Sequence, residues 1–423
     1  MSDQQPGPPR NSSDSASWLA WGITFLLLAS MVVNFVNRLV LATVAPILRS
    51  ELHLSNAQYS YIVFGFMAGM TLGQLPAGMF IDWIGTRIAL PTLLAGWSSS
   101  NMLHALARGV VTFSGLRFVM GLFECGNYSA GLKVIGRIFP ARQRALALGV
   151  FDSGSLVGSV IAPPLIVYVV EHFGWRAAFW IPSALGLLWI WPWFRVNRNG
   201  NGRDLRGDSV GPAITVKRLL SWRQTWGVIL MRAFSDPVSQ FYWYWLPLYL
   251  VRGRGLSMEA MAALASGAYL LGGAGQITGG YLSGFLIAHR FTVDQARKIA
   301  FSAGGILTIL AVIVPLIPNV RWACFMIGLA IFGLSFISCN LIAIITDVFP
   351  ESTLGRVTGL TGIGGGVMNM FLTVATGAAV DRFSFAPVFV GAGAMPLLSM
   401  AALFLLVRRC IKIAEESPQV AVR

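Results

Sequence analysis

Arg117 and Glu124 are two charged residues inside a long apolar stretch, 110–138, that predicts a membrane-spanning helix. On membrane-insertion scales, an arginine or an acidic residue at the centre of a helix costs about 2.5–3.5 kcal/mol. The seven-residue separation is almost two helical turns, so both side chains lie on one face of the helix. Such a pair indicates an anion-binding site beside a proton-binding site, although a structural ion pair or a helix-packing motif would have the same spacing.

The composition is typical of a protein that lies mostly within a bilayer. Hydrophobic residues make up 55% of the 423 residues and charged residues only 11%, whereas a soluble chain has about 25% charged residues. Apolar runs of about 18 residues or more recur from end to end, which predicts a helical membrane protein and excludes the alternating pattern of a β-barrel. The net charge of +14 comes mainly from positive residues in alternate loops, so it indicates topology and not nucleic-acid binding.

Twelve apolar segments have the length of a transmembrane helix. With a cytoplasmic amino terminus, about 20 Lys and Arg residues lie in the cytoplasm and about seven outside. The loops are compact, as is typical of a bacterial protein. We therefore predict an all-α protein of the bacterial inner membrane that crosses the bilayer twelve times, with both termini in the cytoplasm. The predicted spans are 20–47, 57–81, 88–107, 110–138, 145–170, 177–195, 224–250, 259–288, 298–317, 320–346, 355–380 and 385–407.

A long polar stretch divides the chain near its middle, and short sequences repeat on either side of it. Two pairs of segments match: GQLPAGMFID (73–82) with GQITGGYLSG (275–284), and IFPARQRALALG (138–149) with VFPESTLGRVTG (348–359). Two pseudo-symmetric six-helix halves would place a substrate site at their interface, near the middle of the membrane. We predict a disordered cytoplasmic tail, a first half, a cytoplasmic linker, a second half and a second cytoplasmic tail at 1–16, 17–195, 196–223, 224–407 and 408–423.

The sequence has no pattern that would hold a metal or a cofactor. Its four cysteines and four histidines are scattered, without the paired spacing of a zinc or redox motif. No group of residues has the spacing of an enzyme active site, and the internal repeat argues against the symmetric pore of a channel. We expect no metal, no cofactor, no nucleic-acid partner and no enzyme activity, and a monomer whose partners are a small organic anion, protons and the lipid bilayer.

The loop after the second span reads Gly78-Met-Phe-Ile-Asp82-Trp-Ile-Gly85-Thr-Arg87 and resembles the G-x-x-x-D-x-x-G-x-R signature of the major facilitator superfamily. The resemblance implies a major facilitator fold, in which Asp82, Gly85 and Arg87 control closure of the cytoplasmic gate and do not bind substrate. In physical terms, Asp82 can cap or pair with neighbouring helix ends, Gly85 permits the turn, and Arg87 anchors the cytoplasmic side. In the second repeat Gly284 replaces the acid, so we expect this gate contact on one half only.

A second set of segments resembles one branch of that superfamily, the anion:cation symporters. This branch includes bacterial hexuronate and galactonate transporters and the vesicular glutamate and sialic acid carriers. The resemblance runs over nearly the whole chain and is specific at the family level. It is carried by Arg117-Phe-Val-Met-Gly-Leu-Phe-Glu124-Cys-Gly-Asn127 with Lys133, by Phe139-Pro140 and Arg144-Ala-Leu-Ala-Leu-Gly149, by Gly174-Trp-Arg-Ala-Ala-Phe179, and by Asp236-Pro237 with Phe241-Tyr-Trp-Tyr-Trp-Leu-Pro247.

This resemblance implies roles for three charged residues. Arg38, in the first span, would bind the substrate carboxylate, for which a planar guanidinium is well suited. An arginine near the outer membrane surface can also simply extend its charge into water, which is the alternative reading of Arg38. Glu124 would be the protonation site and Arg117 its charge partner. Protonation of Glu124 would release Arg117 and change the favoured conformation, which links the proton to the substrate.

Two positions depart from the family pattern. Many members have Asp immediately before the first-span arginine, where this chain has Asn37, and hexuronate-type members often have Asn where this chain has Asp152. We hypothesise that the acid has moved, so that Asp152 is a second proton site or balances the charge of Arg38 or Lys133. The alternative is that Asp152 lies near the cytoplasmic end of its span and is solvated. Without an acid at Asn37, an uncoupled facilitator or an exchanger is also compatible with the sequence.

Polar side chains inside later spans are candidates to complete a substrate site. We predict substrate contacts from Gln240 and Tyr242 in the seventh span, Asn340 in the tenth and Asn369 in the eleventh. Hydrogen bonds between helices would also explain each of these residues.

The function that this sequence predicts is secondary transport of a small organic anion. The first candidate is a sugar acid, such as a hexuronate or an aldonate, carried with protons by alternating access. Phe35 and Met70 stand where we expect tyrosine in galactonate-type relatives, which favours a less polar pocket. A less polar monocarboxylate or an aromatic acid is therefore the alternative substrate.

Overall fold

The computed structural model describes residues 18–196, 215–350 and 353–413. The predicted tail at 1–16, most of the predicted linker and residues 414–423 of the second predicted tail lie outside the described residues. The described chain forms fourteen α-helices and no strand. They are α1 Trp18–Glu51, α2 Asn56–Ile84, α3 Thr86–Leu103, α4 Val110–Glu124, α5 Gly126–Ile138, α6 Ala141–Phe173, α7 Trp175–Val196, α8 Val216–Ser221, α9 Arg223–Leu248, α10 Met258–Ala288, α11 Val293–Thr308, α12 Val320–Val348, α13 Leu354–Arg382 and α14 Ala386–Ala402.

Tighter or wider turns extend four of these helices. Three-residue-per-turn (3₁₀) segments follow α3 at His104–Leu106 and α11 at Ile309–Leu316, and single π turns follow α9 at Tyr249–Gly253 and α14 at Leu403–Val407. Each of these extensions continues the helix that it follows towards the next connection.

Eight segments of the described chain are long and apolar enough to cross a membrane: Trp18–Glu51, Asn56–Ile84, Leu146–Phe173, Trp175–Val196, Val293–Leu316, Val320–Val348, Leu354–Arg382 and Ala386–Val407. The other four predicted spans correspond to α3, to α4 with α5, to α9 and to α10. The observed helices are therefore consistent with twelve crossings.

The predicted fourth span is divided into α4 and α5 at a single residue, Cys125. Cys125 keeps right-handed helical angles, φ −59° and ψ −23°, so the chain runs on almost without a break. A Cβ on Gly126 would lie 2.6 Å from Leu93 of α3, so this point of the helix is held close to its neighbour. The charged residue Glu124 is thus the last residue of α4, at the junction.

The turn between α2 and α3 depends on Gly85, whose φ of +80° is strained for any residue with a side chain. This confirms the prediction that Gly85 permits the turn. At its other end α2 begins with a capping box: Ser55 Oγ accepts a hydrogen bond from the backbone N–H of Gln58, and the Gln58 side chain accepts one from that of Ser55. Both ends of α2 are therefore set by local sequence.

We use first half for α1–α7 and second half for α9–α14. Within the first half, α1 packs on α6 and α7, and α2 packs on α4; within the second, α9 packs on α13 and α14, and α10 packs on α12. Three main pairs join the halves: α2 with α13, α6 with α10, and α1 with α9. The exact boundaries of the predicted halves stay a prediction.

Glycines allow equivalent helix pairs in the two halves to approach closely. In the first repeat, a Cβ on Gly73 of α2 would lie 3.0 Å from the carbonyl oxygen of Leu122 in α4. In the second, a Cβ on Gly275 of α10 would lie 2.4 Å from that of Phe332 in α12. Small residues at such positions let helix backbones touch within a membrane. The close packing of α2 on α4 brings Arg117 and Glu124 towards the middle of the first half.

We call the end of the bundle where α7 ends at Val196 and α9 begins at Arg223 the linker side. The opposite end, where α1 ends at Glu51 and α2 begins at Asn56, is the far side. On the far side, Asp381 at the end of α13 accepts hydrogen bonds from Asn56 Nδ2 (2.7 Å), from Asn56 N (3.0 Å) and from Ala57 N (2.8 Å). The Asp381 carboxylate, from the second half, therefore caps the first turn of α2, in the first half.

The contact between the halves ends part-way towards the linker side. A Cβ on Gly362 of α13 would lie 2.6 Å from Gln74 Oε1 of α2, and Gln276 of α10 donates to Asp152 of α6 over 3.0 Å. Beyond these contacts, the same helix faces are open, because a Cβ built on the next glycines meets no described atom within 4 Å. These glycines are Gly78, Gly149, Gly280, Gly284, Gly355 and Gly359. The described helices are thus joined on the far side and parted on the linker side.

Candidate functional site

The centre of the candidate site is an ion pair between Arg38 of α1 and Glu124 of α4. Arg38 Nε and Nη2 lie 2.6 and 2.5 Å from Glu124 Oε1. The Glu124 side chain is fully buried, and 11% of the Arg38 side chain is exposed. Two ionised groups held this closely compensate each other, which is required in the low dielectric inside a membrane.

Arg117 lies beside this pair as a second buried cation. Its Nη1 is 3.5 Å from the backbone oxygen of Arg38 and 3.7 Å from Met120 Sδ. Its Nε and Nη2 have no hydrogen-bond partner within the described residues, and its side chain is fully buried. A buried guanidinium without a carboxylate partner is an unusual and costly arrangement.

Arg117 interacts electrostatically with Glu124 but makes no salt bridge with it, so its role as the charge partner of Glu124 stays a prediction. Seven residues along a helix correspond to a rise of roughly 10 Å, which is long for a direct contact between the two side chains. Arg38 from α1 reaches the carboxylate instead. When Glu124 is ionised, the three side chains together carry one net positive charge.

Aromatic rings surround the two guanidinium groups. The Arg38 Cζ atom lies 4.7 Å from the ring centroid of Phe35, 5.5 Å from that of Phe66 and 5.8 Å from that of Trp243. The Arg117 Cζ atom lies 5.8 Å from the Phe66 centroid. These distances are within the range of cation–π attraction. Because Trp243 belongs to α9, the site lies at the contact between the two halves.

The aromatic residues of α9 that face the site differ from those that the sequence predicted. Tyr242 packs near Phe389 of α14, and its backbone oxygen accepts a hydrogen bond from Tyr269 of α10 over 3.2 Å. Trp243 and Tyr244 face the first half: Tyr244 lies within electrostatic reach of both arginines and Glu124, and its buried hydroxyl has no partner within the described residues. Tyr244 is the residue that the sequence reasoning missed.

The other predicted substrate contacts are spread over the second half. Gln240 of α9 has a buried Oε1 without a partner, and Asn369 of α13 has an unpartnered Oδ1 and is 7% exposed, both within the described residues. Asn340 of α12 donates to the backbone oxygen of Gly279 in α10 over 3.3 Å. Asn340 thus makes the helix-to-helix bond that was its alternative explanation, and its Oδ1, like Gln240 Oε1 and Asn369 Oδ1, has no partner within the described residues.

Asn37 points about 100° away from its neighbour Arg38 on α1 and contacts other helices. Its Oδ1 accepts a hydrogen bond from Asn101 of α3 over 3.3 Å, and Asn101 also donates to Ser183 of α7 over 3.1 Å. Asn37 is fully buried. Its side chain therefore belongs to a polar contact among α1, α3 and α7, behind the ion pair.

Asp152 lies away from both cations that it was predicted to balance. Its carboxylate accepts from Gln276, whereas Arg38 is paired with Glu124 and Lys133 is paired with Asp82. The charge-balance part of the hypothesis is therefore wrong, because each cation already has another carboxylate. Whether Asp152 takes up a proton stays a prediction.

The predicted gate residues lie near the linker side. Asp82 at the end of α2 pairs with Lys133 of α5, and both side chains are substantially exposed, at 71% and 42%. The backbone oxygen of Arg87 accepts a hydrogen bond from the Trp193 indole of α7 over 3.0 Å. These contacts join the ends of α2, α3, α5 and α7.

The second half has a comparable contact, although Gly284 replaces the acid of the motif. Arg297 of α11 contacts Asp347 of α12 over 2.8 Å and donates to Ser283 of α10 over 2.8 Å. The acid of this contact is provided by a different helix, so the expectation that the motif contact itself occurs on one half only stays a prediction. No group of three metal-ligating side chains is found within the described residues.

Comparison with known proteins shows similarity to membrane transporters. Residues 26–342 match the family model described as Major Facilitator Superfamily. The hexuronate transporter of Escherichia coli (strain K12) is 28% identical over 419 residues, covering 94% of this chain and 97% of that protein. The galacturonate transporter of Dickeya chrysanthemi is 30% identical over 309 residues, covering 69% of this chain and 89% of that protein. The solved structure of a D-xylose-proton symporter has a TM-score of 0.71 at 15% identity and covers 91% of this chain and 96% of its own. That likeness is one of fold alone.

Proposed function

Because this chain belongs to the Major Facilitator Superfamily, whose model matches residues 26–342, we propose that it carries a sugar acid with protons across a bacterial membrane by alternating access. The chain is a multi-pass membrane transporter and not an enzyme, as the sequence predicted. Two similar proteins are described as hexuronate and galacturonate transporters, which supports a sugar acid as the substrate class.

The observation that carries this proposal is the net positive charge of a buried site. Arg117 is fully buried and has two nitrogens without a partner within the described residues. A carboxylate that enters beside it supplies the missing acceptor oxygens and balances the charge. Arg38 lies next to Arg117 and is the more exposed of the two, so it is the first of them that an entering substrate meets.

Proton coupling follows from competition for Arg38. In the described state Glu124 holds Arg38 through a single carboxylate oxygen. A proton on Glu124 removes the negative charge and weakens this contact, which leaves the Arg38 guanidinium available to the substrate carboxylate. Binding of proton and binding of substrate then favour each other, as symport requires. In this scheme Arg38, and not Arg117, is the group that the proton releases.

Unused polar groups on α9 and α13 support a hydroxylated substrate. The Tyr244 hydroxyl, Gln240 Oε1 and Asn369 Oδ1 are buried without partners within the described residues. A site built to hydrogen-bond hydroxyl groups discriminates strongly against an analogue that lacks them. The aromatic rings around Arg38 favour the alternative, a less polar monocarboxylate or an aromatic acid. The amide at Asn37 keeps an uncoupled facilitator or exchanger as a second alternative.

The orientation that we propose puts the linker side in the cytoplasm, with both termini there, because positive residues are concentrated on that side. The described state is then open towards the cytoplasm. We further propose that the monomer is the transporting unit, since the site is formed by both halves of one chain.

The test is uptake of labelled galacturonate into proteoliposomes that contain the purified protein, with and without an inward proton gradient. Accumulation above equilibrium that needs the gradient supports symport. Equilibration without accumulation supports a facilitator. If an aromatic acid competes better than galacturonate, the less polar alternative is correct. Empty liposomes and the Arg117→Gln variant are the matched controls, because this variant lacks the buried cation.

A further inference from the structure

A second arginine–carboxylate pair lies inside α9, outside the site described above. Arg232 Nε contacts Asp236 Oδ2 over 2.9 Å, and Arg232 Nη1 is 3.5 Å from the Thr361 hydroxyl of α13. The two side chains are 32% and 30% exposed. The transport scheme above does not use this pair.

The pair belongs to a half-buried stripe that leads to the central site. Ile229, Arg232, Asp236, Gln240 and Trp243 recur every three or four residues and are all half-buried, so they share one face of α9. The stripe ends at Trp243, whose ring faces Arg38 at 5.8 Å. Arg232 is eleven residues nearer to the linker side, which corresponds to roughly 16 Å along the helix.

The pair lies at the border of the parted region, because Arg232 reaches Thr361, the neighbour of Gly362, where α13 still contacts α2. A Cβ on Gly365 of α13 would lie 2.9 Å from Asp236 Oδ2, and a Cβ on Gly366 would lie 2.2 Å from Thr71 Oγ1 of α2. The glycine-rich part of α13 therefore lies between α9 and the first half. An exposed charge pair facing lipid would be costly, and about a third of each of these two side chains is not covered by protein.

The chemistry of the pair repeats that of Arg38 and Glu124. Asp236 binds Nε of Arg232 and Thr361 lies 3.5 Å from Nη1, which leaves Nη2 as the part of the guanidinium for a further acceptor. An Arg fork binds a carboxylate with two parallel hydrogen bonds. A substrate carboxylate that leaves Arg38 and follows the stripe meets Arg232 as the next positive group on α9.

We propose that Arg232 is a second binding site for the carboxylate of the substrate, on the linker side of the central site, and that Asp236 competes with the substrate for it. This inference rests on the proposed function. The pair then acts as a transfer site: Arg232 attracts the anion from the Arg38 site, and Asp236 prevents it from binding too tightly for release.

The proposal predicts opposite effects for the two members of the pair. Arg232→Gln removes the anion site, and we expect a KM for galacturonate about fivefold higher on the linker side. Asp236→Asn removes the competitor, and we expect a KM about fivefold lower on that side. On the far side both variants should keep the KM of the unchanged protein, because Arg38 and Arg117 are intact.

The experiment compares right-side-out and everted membrane vesicles, which expose the far and linker sides respectively, using labelled galacturonate. A purely structural ion pair would lower activity similarly in both variants and on both sides, and the exchange Arg232→Asp with Asp236→Arg would restore it. Either result overturns the inference. If Arg232→Gln does not fold, Arg232→Lys takes its place in the KM comparison, because lysine keeps the positive charge but lacks the guanidinium fork. If the unchanged protein carries no galacturonate in either kind of vesicle, both the proposed function and this inference are overturned. If the unchanged protein carries galacturonate and the two variants have the same KM values as it does, only the transfer site is overturned.

Discussion

Arg38 contacts Glu124 with two nitrogens, at 2.6 and 2.5 Å, but uses only one carboxylate oxygen, Oε1. The other oxygen, Oε2, is buried without a well-aligned hydrogen bond within the described residues, and the Asn34 side chain lies beside the carboxylate. A proton on Oε2 is therefore compatible with the observed position of both side chains. Protonation can therefore weaken the contact between Arg38 and Glu124 without a prior movement of either side chain.

Glu124→Gln should abolish accumulation driven by a proton gradient while leaving exchange of substrate across the membrane. The amide keeps the shape of the side chain but can neither carry the charge nor take up the coupling proton. We expect the pH dependence of uptake to disappear together with accumulation. The measurement is galacturonate uptake and counterflow in the same proteoliposomes between pH 5.5 and 8. Undiminished accumulation by the variant would show that another group couples the proton.

Arg117→Met should stop transport and yet stabilise the protein. A buried guanidinium without a carboxylate partner is costly, so replacing it with an apolar side chain of similar size should be neutral or stabilising. We expect a higher melting temperature in detergent and loss of galacturonate uptake. Arg195→Met is the matched control, because Arg195 is exposed and its guanidinium lies over the Trp191 ring at 4.3 Å. A lower melting temperature than that of the control would mean that Arg117 has a partner that stabilises it.

Asp381→Ala should open the far side. The carboxylate accepts three hydrogen bonds from the start of α2, and a charge at a helix N-terminus with such bonds contributes about 1–2 kcal/mol. The far-side-open population should therefore rise by roughly 5- to 30-fold.

The readout for Asp381→Ala is a cysteine placed at Ser60, in a background without the native cysteines. Ser60 is fully buried against Gly377 at this contact. We expect faster labelling by a membrane-impermeant thiol reagent applied to the far side. Asp381→Asn, which keeps one acceptor oxygen, should give an intermediate rate. Equal rates in all three proteins would exclude Asp381 from far-side closure.

Asp152→Asn tests whether a second proton site exists. An amide at this position can still accept the hydrogen bond from Gln276, so the contact between α6 and α10 is preserved. If Asp152 takes up a proton, its loss should reduce the number of protons carried with each substrate and shift the pH profile of uptake. Gln276→Ala is the control, since it removes the contact without removing the acid. An unchanged profile leaves Glu124 as the coupling group.

The fold and the helices that carry the site could be predicted from the sequence, because long apolar runs and a repeated motif determine them. The partner of Glu124 could not be predicted, since the contact joins α1 to α4 and depends on how these helices lie against each other. Neighbouring residues on a helix point about 100° apart, which is consistent with the different surroundings of Asn37 and Arg38.

The aromatic run of α9 illustrates the same limit. Consecutive aromatic residues place a ring on every face of a helix, so the sequence does not show which of these rings contacts the first half. Packing of Phe389 against Tyr242 decides the orientation and directs Trp243 and Tyr244 towards the arginines. The half-buried stripe on α9 likewise becomes visible only once its neighbours are known.

The open glycines at the linker side have a consequence for how the transporter closes. At each of these glycines the helices can meet backbone to backbone, by dispersion and Cα–H···O contacts, which carry no net charge. The strength of such a seal should hardly depend on pH or ionic strength. Sensitivity to the ionic environment would then reside in the charged pairs, including Asp82–Lys133 near this side, so the same closing surface can serve the empty carrier and the loaded one.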